Sequence, residues 1–141
     1  MAEFVFATCL VGVEPAVKLE VARTRPELRF AYSRPGLVTF KAPRSVAPDD
    51  PPGSVFARVW GRSVGAASDP PAAAHQLAYL GADRLHVFAR DPDAECDLAP
   101  WLATLTVPGG EALDGELVAD VIVAPAQEPA WLGVHRHGVG R

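Results

Sequence analysis

Cationic and aromatic side chains alternate in residues 55–62, in a pattern with which a β-strand can bind RNA. The two-residue repeat places Arg58, Trp60 and Arg62 on one strand face, opposite the apolar positions. Guanidinium groups bind phosphate, and an indole ring stacks on an unpaired base. The sequence therefore makes this face a candidate RNA contact. The alternative is a solvated sheet face that carries one half-buried tryptophan.

A second stretch, residues 84–90, poses the same choice. Its apolar positions alternate with Arg84, His86, Phe88 and Arg90. The chain around this stretch is acidic, and acidic surroundings repel phosphate. For this stretch the sequence favours a solvated face over an RNA contact.

His135 and His137 stand two residues apart, so a strand would place both imidazoles on one face. This spacing suits Zn²⁺ or Ni²⁺ if a third ligand lies nearby. Neither Cys9 nor Cys96 can be placed there from the sequence, and the two cysteines show no CxxC pairing. A basic strand beside RNA or a partner domain explains the segment equally well. We therefore predict no metal site and two reduced thiols.

Sequence motifs of catalysis and cofactor binding are absent, since the chain has no GxGxxG, P-loop, HExxH or GxSxG pattern. Gly109 and Gly110 follow Pro108, but acidic residues come next and no helical pattern follows. A phosphate-binding turn needs a helix N-terminus directly after its glycines. We interpret this segment as a structural turn and predict neither a catalytic residue nor a bound cofactor.

Composition and charge favour a globular protein that depends on a partner for nucleic-acid affinity. Of the 141 residues, 49% are hydrophobic and 21% are charged, close to an average folded domain. No apolar run approaches the ~20 residues of a membrane span, and no leader pattern follows Met1, so we expect a cytoplasmic protein. The net charge is −4. Residues 1–66 hold nine basic and six acidic side chains, against four and eleven in residues 67–141, so RNA contacts should come mainly from the first half.

The first 66 residues show the pattern of a small α+β unit. The pattern predicts strands at residues 4–8, 29–32, 37–41 and 55–62, a helix between Pro15 and Pro26, and a proline-rich loop at 42–54. Pro35 and Gly36 suit the central positions of a type II turn between the second and third strands. This order predicts a ferredoxin-like subdomain without a clear second helix.

The second half predicts a further α/β unit. Ser68 or Asp69 is expected to cap a helix that Gly81 ends. The pattern then predicts strands at residues 84–90, 117–123 and 131–135, with a weak helix at 97–106. We expect an α+β fold with a ferredoxin-like subdomain at residues 1–66, a THUMP-like RNA-binding subdomain at 67–137 and a linker at 138–141.

Three stretches resemble a known family. Residues 4–14, with a strand, a small loop and a Gly-x-Glu helix start, resemble the opening of methyltransferases that carry a THUMP domain behind a ferredoxin-like domain. Residues 33–41 and 55–60 continue the likeness in order. The chain resembles RlmM-type enzymes, which methylate a ribose 2′-hydroxyl of 23S ribosomal RNA with S-adenosylmethionine. In that family a strand like residues 131–137 ends the RNA-binding part and leads into the catalytic domain.

The resemblance implies a substrate-recognition module that binds ribosomal RNA and works with a methyltransferase domain in cis or in trans. The family's cofactor loop and catalytic residues have no counterpart in residues 1–141, so no activity is expected of this chain alone, and S-adenosylmethionine belongs to the parent enzyme. The candidate RNA-binding residues are Arg34, Lys41, Arg58, Trp60, Arg62, Arg84, Arg90 and Arg136. Two alternatives stay open, a protein-docking module for a separate catalytic subunit and a small stand-alone enzyme.

Overall fold

The computed structural model describes residues 3–43, 54–93, 96–105, 107–125 and 128–138. Within them the chain is a mixed α+β protein, as predicted. In chain order its elements are β1 (Glu3–Thr8), α1 (Glu14–Thr24), β2 (Arg29–Arg34), β3 (Leu37–Ala42), β4 (Val59–Ala67), α2 (Pro70–Leu77), β5 (Arg84–Ala89), α3 (Ala99–Thr104), β6 (Leu117–Val123) and β7 (Ala130–Arg136). No helix in this part of the chain is long and apolar enough to cross a membrane.

Short-range signals set the ends of several elements. The Asp69 carboxylate caps α2 by accepting a hydrogen bond from the Ala72 N–H at 2.9 Å. Gly36 has a φ of +84°, which the predicted type II turn between β2 and β3 requires. Pro15 lies in the first turn of α1, where its missing N–H costs no hydrogen bond.

The seven strands form one sheet in the order β2-β3-β1-β4-β7-β6-β5. All neighbours are antiparallel except β5 and β6, which are parallel. β4 pairs with β1 through its first residues and with β7 through its later ones, so it connects the two halves of the sheet. The boundary predicted between residues 66 and 67 falls at the end of this shared strand. The narrower ferredoxin-like and THUMP-like assignments stay predictions.

The helices cover one face of the sheet with apolar side chains. Val17 and Val21 of α1 are buried against β1 and β3. Ala73 and Leu77 of α2 and Trp101 of α3 are buried with β5, β6 and β7 residues in a second cluster. Burial of these side chains against the sheet is the main stabilising contribution on this face.

The opposite face carries a third apolar cluster, and none of its residues comes from a helix: Phe6, Leu37 and Ile122 are buried there, with Val59, Phe88 and Trp131 packed against them. The Tyr32 and Trp131 rings lie 5.4 Å apart, although a flat sheet would hold β2 and β7 about 19 Å apart. The sheet therefore curls strongly, and we call this side the concave face.

The strand predicted at residues 55–62 begins later than expected, at Val59. The Ser54 hydroxyl accepts hydrogen bonds from the Phe56 and Ala57 N–H groups, and the Glu20 carboxylate accepts one from Val55 at 2.9 Å. These bonds hold residues 55–57 in a turn, so their alternating pattern does not lie in the sheet. Most of the loop predicted at residues 42–54, and residues 139–141 of the predicted linker, lie outside the described residues.

Candidate functional site

A cleft of about 360 Å³ lies between the end of β1 and the last residues of β5. Val59 and Phe88 of the concave cluster form its apolar floor. Arg58, His86 and Arg90 line it with polar groups. The cleft thus brings together Arg58 from the first predicted RNA-binding stretch and Arg90 from the second, which the sequence alone could not place side by side.

Arg58 offers the cleft a cationic group. Its backbone N–H donates to the Thr8 carbonyl at 2.7 Å, which fixes the start of β4 against β1. Its side chain is exposed, and no hydrogen bond or ion pair of its guanidinium is found in the described part of the chain. The guanidinium is therefore available to an anionic ligand.

Arg90 and Arg34 are instead paired with an acid. Arg90 donates two hydrogen bonds to the Glu128 carboxylate at 3.2 and 3.4 Å, and its side chain is only 8% exposed. Arg34 reaches the same carboxylate at 3.7 Å. Glu128 therefore neutralises part of the positive charge of both predicted contacts and ties β2 to the end of β5.

Arg84 and Arg136 also have partners within the protein. Arg84 lies 3.2 Å from the Glu116 carboxylate, and Arg136 donates to the Gly115 carbonyl at 3.0 Å. The Leu113 N–H and then Arg84 hold the pKa of Glu116 below its ordinary value. Both arginines thus bind groups of the segment directly before β6 and hold it in place.

Trp60, Arg62 and Lys41 do not line the cleft. Trp60 packs against the helix-side cluster, with its ring 5.9 Å from that of Phe40, and this contact favours a structural role. Arg62 is paired with Val5 and so lies on the helix-bearing side, as Trp60 does. Lys41 is paired with Phe4 and so lies on the opposite side. The eight predicted residues therefore do not form one continuous patch.

A buried carboxylate with three imidazoles around it is the second polar feature of the concave face. Asp120 on β6 has 0% exposure, and its Oδ2 is hydrogen-bonded to Nδ1 of His135 on β7. The ring of His86 on β5 lies 6.4 Å from both the His135 and His137 rings, which are 6.1 Å apart. Burial raises the pKa of Asp120 above its ordinary value, although His135, His86 and His137 oppose the rise.

Sequence reasoning did not find this cluster, because its members lie far apart in the chain. The register of β5 on β6 puts His86 directly opposite Asp120. One signal was present, since Asp120 is the single acid inside the apolar run of residues 117–123. Buried carboxylates in such runs need a partner.

Cys9 lies beside the cleft but is poorly suited to act as a nucleophile. Its pKa is raised to about 11 by burial and by the negative charge of Glu14, which also accepts a hydrogen bond from the thiol. The same carboxylate accepts bonds from the N–H groups of Gly12 and Gly36. Glu14 therefore joins the start of α1 to the turn between β2 and β3.

The chain matches no protein-family model and no curated protein sequence.

Proposed function

We propose that this chain is an RNA-binding, substrate-recognition module of an S-adenosylmethionine-dependent ribose methyltransferase that acts on 23S ribosomal RNA in the cytoplasm. The catalytic domain is supplied in cis or in trans. The cleft lined by Arg58, His86 and Phe88 carries this proposal, because it combines an available guanidinium with an aromatic floor. The family resemblance of residues 4–14, 33–41 and 55–60 supplies the reaction class.

The chemistry of the cleft suits one unstacked nucleotide. Its volume of about 360 Å³ lies at the small end of ligand pockets. Phe88 offers a ring face for a base, and Arg58 offers charge-assisted hydrogen bonds to the adjoining phosphate. Single-stranded positions are the part of RNA that proteins bind by stacking.

The charge balance limits what the module does alone. The net charge is −4, and carboxylates pair with Arg34, Arg84 and Arg90. Phosphate neutralisation supplies most non-specific affinity, so few contacts remain for it here. We therefore expect the module to orient RNA, while a basic catalytic domain on a short tether supplies most of the affinity.

The test is a fluorescence anisotropy titration of a structured RNA with a single-stranded loop, at low and at physiological salt. We expect Arg58→Ala to weaken binding about tenfold, as the loss of one charge-assisted contact implies, and Phe88→Leu by roughly 1 to 3 kcal/mol. Arg23→Ala is the matched control, because Arg23 is an exposed arginine in the last turn of α1. Trp60→Ala should lower the melting temperature and leave RNA binding in place.

A second titration separates RNA presentation from protein docking. Leu10 and Val11 are exposed apolar residues at the mouth of the same cleft, which favours docking of a catalytic subunit as the alternative. The chain joined to a methyltransferase domain should bind RNA far more tightly than either part. Two results together would favour protein docking over RNA recognition. The joined protein would bind RNA no more tightly than its better part, and Leu10→Asp would abolish a salt-insensitive binding of the chain to the separate methyltransferase domain.

A further inference from the structure

Three of the four histidines of the chain converge on the concave face. His86 comes from β5, His135 and His137 come from the end of β7, and β6 runs between these strands. The register places Gly133 opposite Asp120, and the Phe6 ring covers this glycine on the concave face. The three rings surround a common point at centroid separations of 6.1 to 6.4 Å.

Asp120 fixes the orientation of one of these rings. When the carboxylate is ionised, the His135 Nδ1–H donates to its Oδ2, which leaves Nε2 of this ring with a free lone pair. Histidines that bind metals almost always donate their other ring N–H to a carboxylate or a carbonyl in this way. With an ionised Asp120, His135 has the tautomer and the anchoring of a metal ligand.

One oxygen of the buried carboxylate also lacks a hydrogen-bond partner. Asp120 is fully buried, and its Oδ1 has no hydrogen-bond partner within the described residues. Burying an ionised carboxylate is costly unless a cation or a metal compensates it. A divalent ion on the neighbouring imidazoles would supply this compensation without further burial.

The three rings stand farther apart than the ligands of a bound ion do. No three potential ligands in the described part of the chain already stand at ligating positions. A point equidistant from the three rings lies about 3.6 Å from each ring centroid. When an imidazole nitrogen binds zinc, the ion lies only ~3 Å from the centroid of that ring. A tetrahedral site therefore requires each ring to move inward by roughly 0.6 Å and to turn a nitrogen toward the ion. His86 and His137 are only partly buried, which allows such a shift.

We propose that His86, His135 and His137 bind one divalent transition-metal ion of the zinc class, with Asp120 as the positioning residue for His135. Three neutral imidazoles and a water give the four ligands of a tetrahedral site. Imidazole donors select Zn²⁺, Ni²⁺ or Cu²⁺ over Mg²⁺ and Ca²⁺, which prefer oxygen. The site goes beyond the proposed RNA function and does not depend on it.

The experiment is a Zn²⁺ titration of the whole chain, without RNA, in competition with a chromophoric chelator. We expect one ion per chain in the micromolar range or tighter. His86→Ala and His137→Ala should each weaken affinity at least tenfold, and Asp120→Asn by about 10- to 100-fold. His75→Ala is the matched control, because His75 lies on α2 and its ring contacts Tyr79 instead of the cluster.

Cobalt substitution gives a second readout. Co²⁺ should show the intense visible bands of a four-coordinate site, without the sulfur charge-transfer band that Cys9 or Cys96 would add. Circular dichroism shows whether each variant stays folded, and the half-exposed His86 and His137 variants should do so. Absent binding, or binding that the His86 and His137 variants retain, overturns the site, as does equal weakening by His75→Ala. Arg58 and Phe88, the residues varied in the RNA titration, are not ligands of the proposed ion, so the two proposals are tested separately.

Discussion

The two faces of the sheet differ in the side chains that they bury. The side chains buried beneath the helices are apolar, with α1, α2 and α3 burying valine, alanine, leucine and tryptophan side chains. The concave face also buries Phe6 and Ile122, yet it carries the buried polar or charged side chains found in the described residues: Thr8, Thr39, Asp120 and His135. Polar groups without water cost stability unless they are paired.

This difference separates residues that build the fold from residues that are available for chemistry. The helix-bearing face follows the ordinary rule of apolar burial and needs no function to explain it. That rule does not explain the buried Asp120 on the concave face. A buried carboxylate beside three imidazoles and a cleft makes that face the candidate functional one.

The largest expected effect tests whether the concave face is packed as tightly as a protein interior. The Phe6 ring lies directly over Gly61 and Gly133, and a Cβ at Gly133 would overlap it. Because Phe6 is fully buried, its ring has no free space to move into. We expect Gly133→Ala to lower the free energy of unfolding by roughly 2 to 4 kcal/mol, measured by urea denaturation.

The control for Gly133 is Gly109→Ala, since the nearest atom to a Cβ at Gly109 is the Leu85 carbonyl oxygen at 3.8 Å. This variant should change stability by no more than about 1 kcal/mol. Adding Phe6→Leu to Gly133→Ala should recover part of the loss, because the shorter side chain makes room. A stability loss at Gly133 as small as the loss at Gly109 would mean that the concave face is loosely packed.

Sequence patterns predicted the helix-bearing face better than the concave one. The apolar run at residues 117–123 gave β6 with the predicted bounds, and Asp69 caps α2 as one of the two predicted caps. Both signals are local. β4 was displaced because Glu20, distant in the chain, holds residue 55 by a hydrogen bond, and alternation carries no record of such a contact.

The candidate site depended even more on strand pairing. His135 and His137 were noticed from their spacing, but the third imidazole arrives only through the β5–β6–β7 register. The meeting of Arg58 with Arg90 likewise follows from the curl of the sheet. A single sequence gives residue types and periodicity, whereas which edges of a sheet approach each other depends on the whole packing.

A smaller effect concerns the pH dependence of the buried carboxylate. The folded state raises the pKa of Asp120 above the unfolded value of about 3.9, so between the two values the folded protein binds more protons than the unfolded chain. The contribution of Asp120 to the free energy of unfolding therefore falls as pH rises through this window. The slope is at most about 1.4 kcal/mol per pH unit for one proton.

Asp120→Asn should lack this fall, because an amide does not titrate. Urea denaturation across the acidic and neutral range should show the wild-type curve descending relative to that of the variant. Asp97→Asn is the control, since the exposed Asp97 accepts a hydrogen bond from the Ala99 N–H and an asparagine side chain can accept the same bond. Parallel curves for wild type and Asp120→Asn would show that the carboxylate does not titrate differently on folding.

The smallest effect probes the place where the two faces meet. Cys9 belongs to the helix-side cluster and also lines the cleft, and burial followed by Glu14 raises its pKa to about 11. At pH 8 only on the order of one thiol in a thousand is then ionised, and the thiolate is the reactive form. Iodoacetamide should therefore modify the partly buried Cys96 well before Cys9 in the folded chain, as peptide mass spectrometry would show.

Glu14→Gln removes the charge next to the thiol and should speed modification of Cys9 a few-fold. Burial should still keep this modification slower than in urea, where both cysteines should react alike. Rapid modification of Cys9 in the folded wild type would instead mean that the cleft exposes this thiol, and that the boundary between the two faces is open to small molecules.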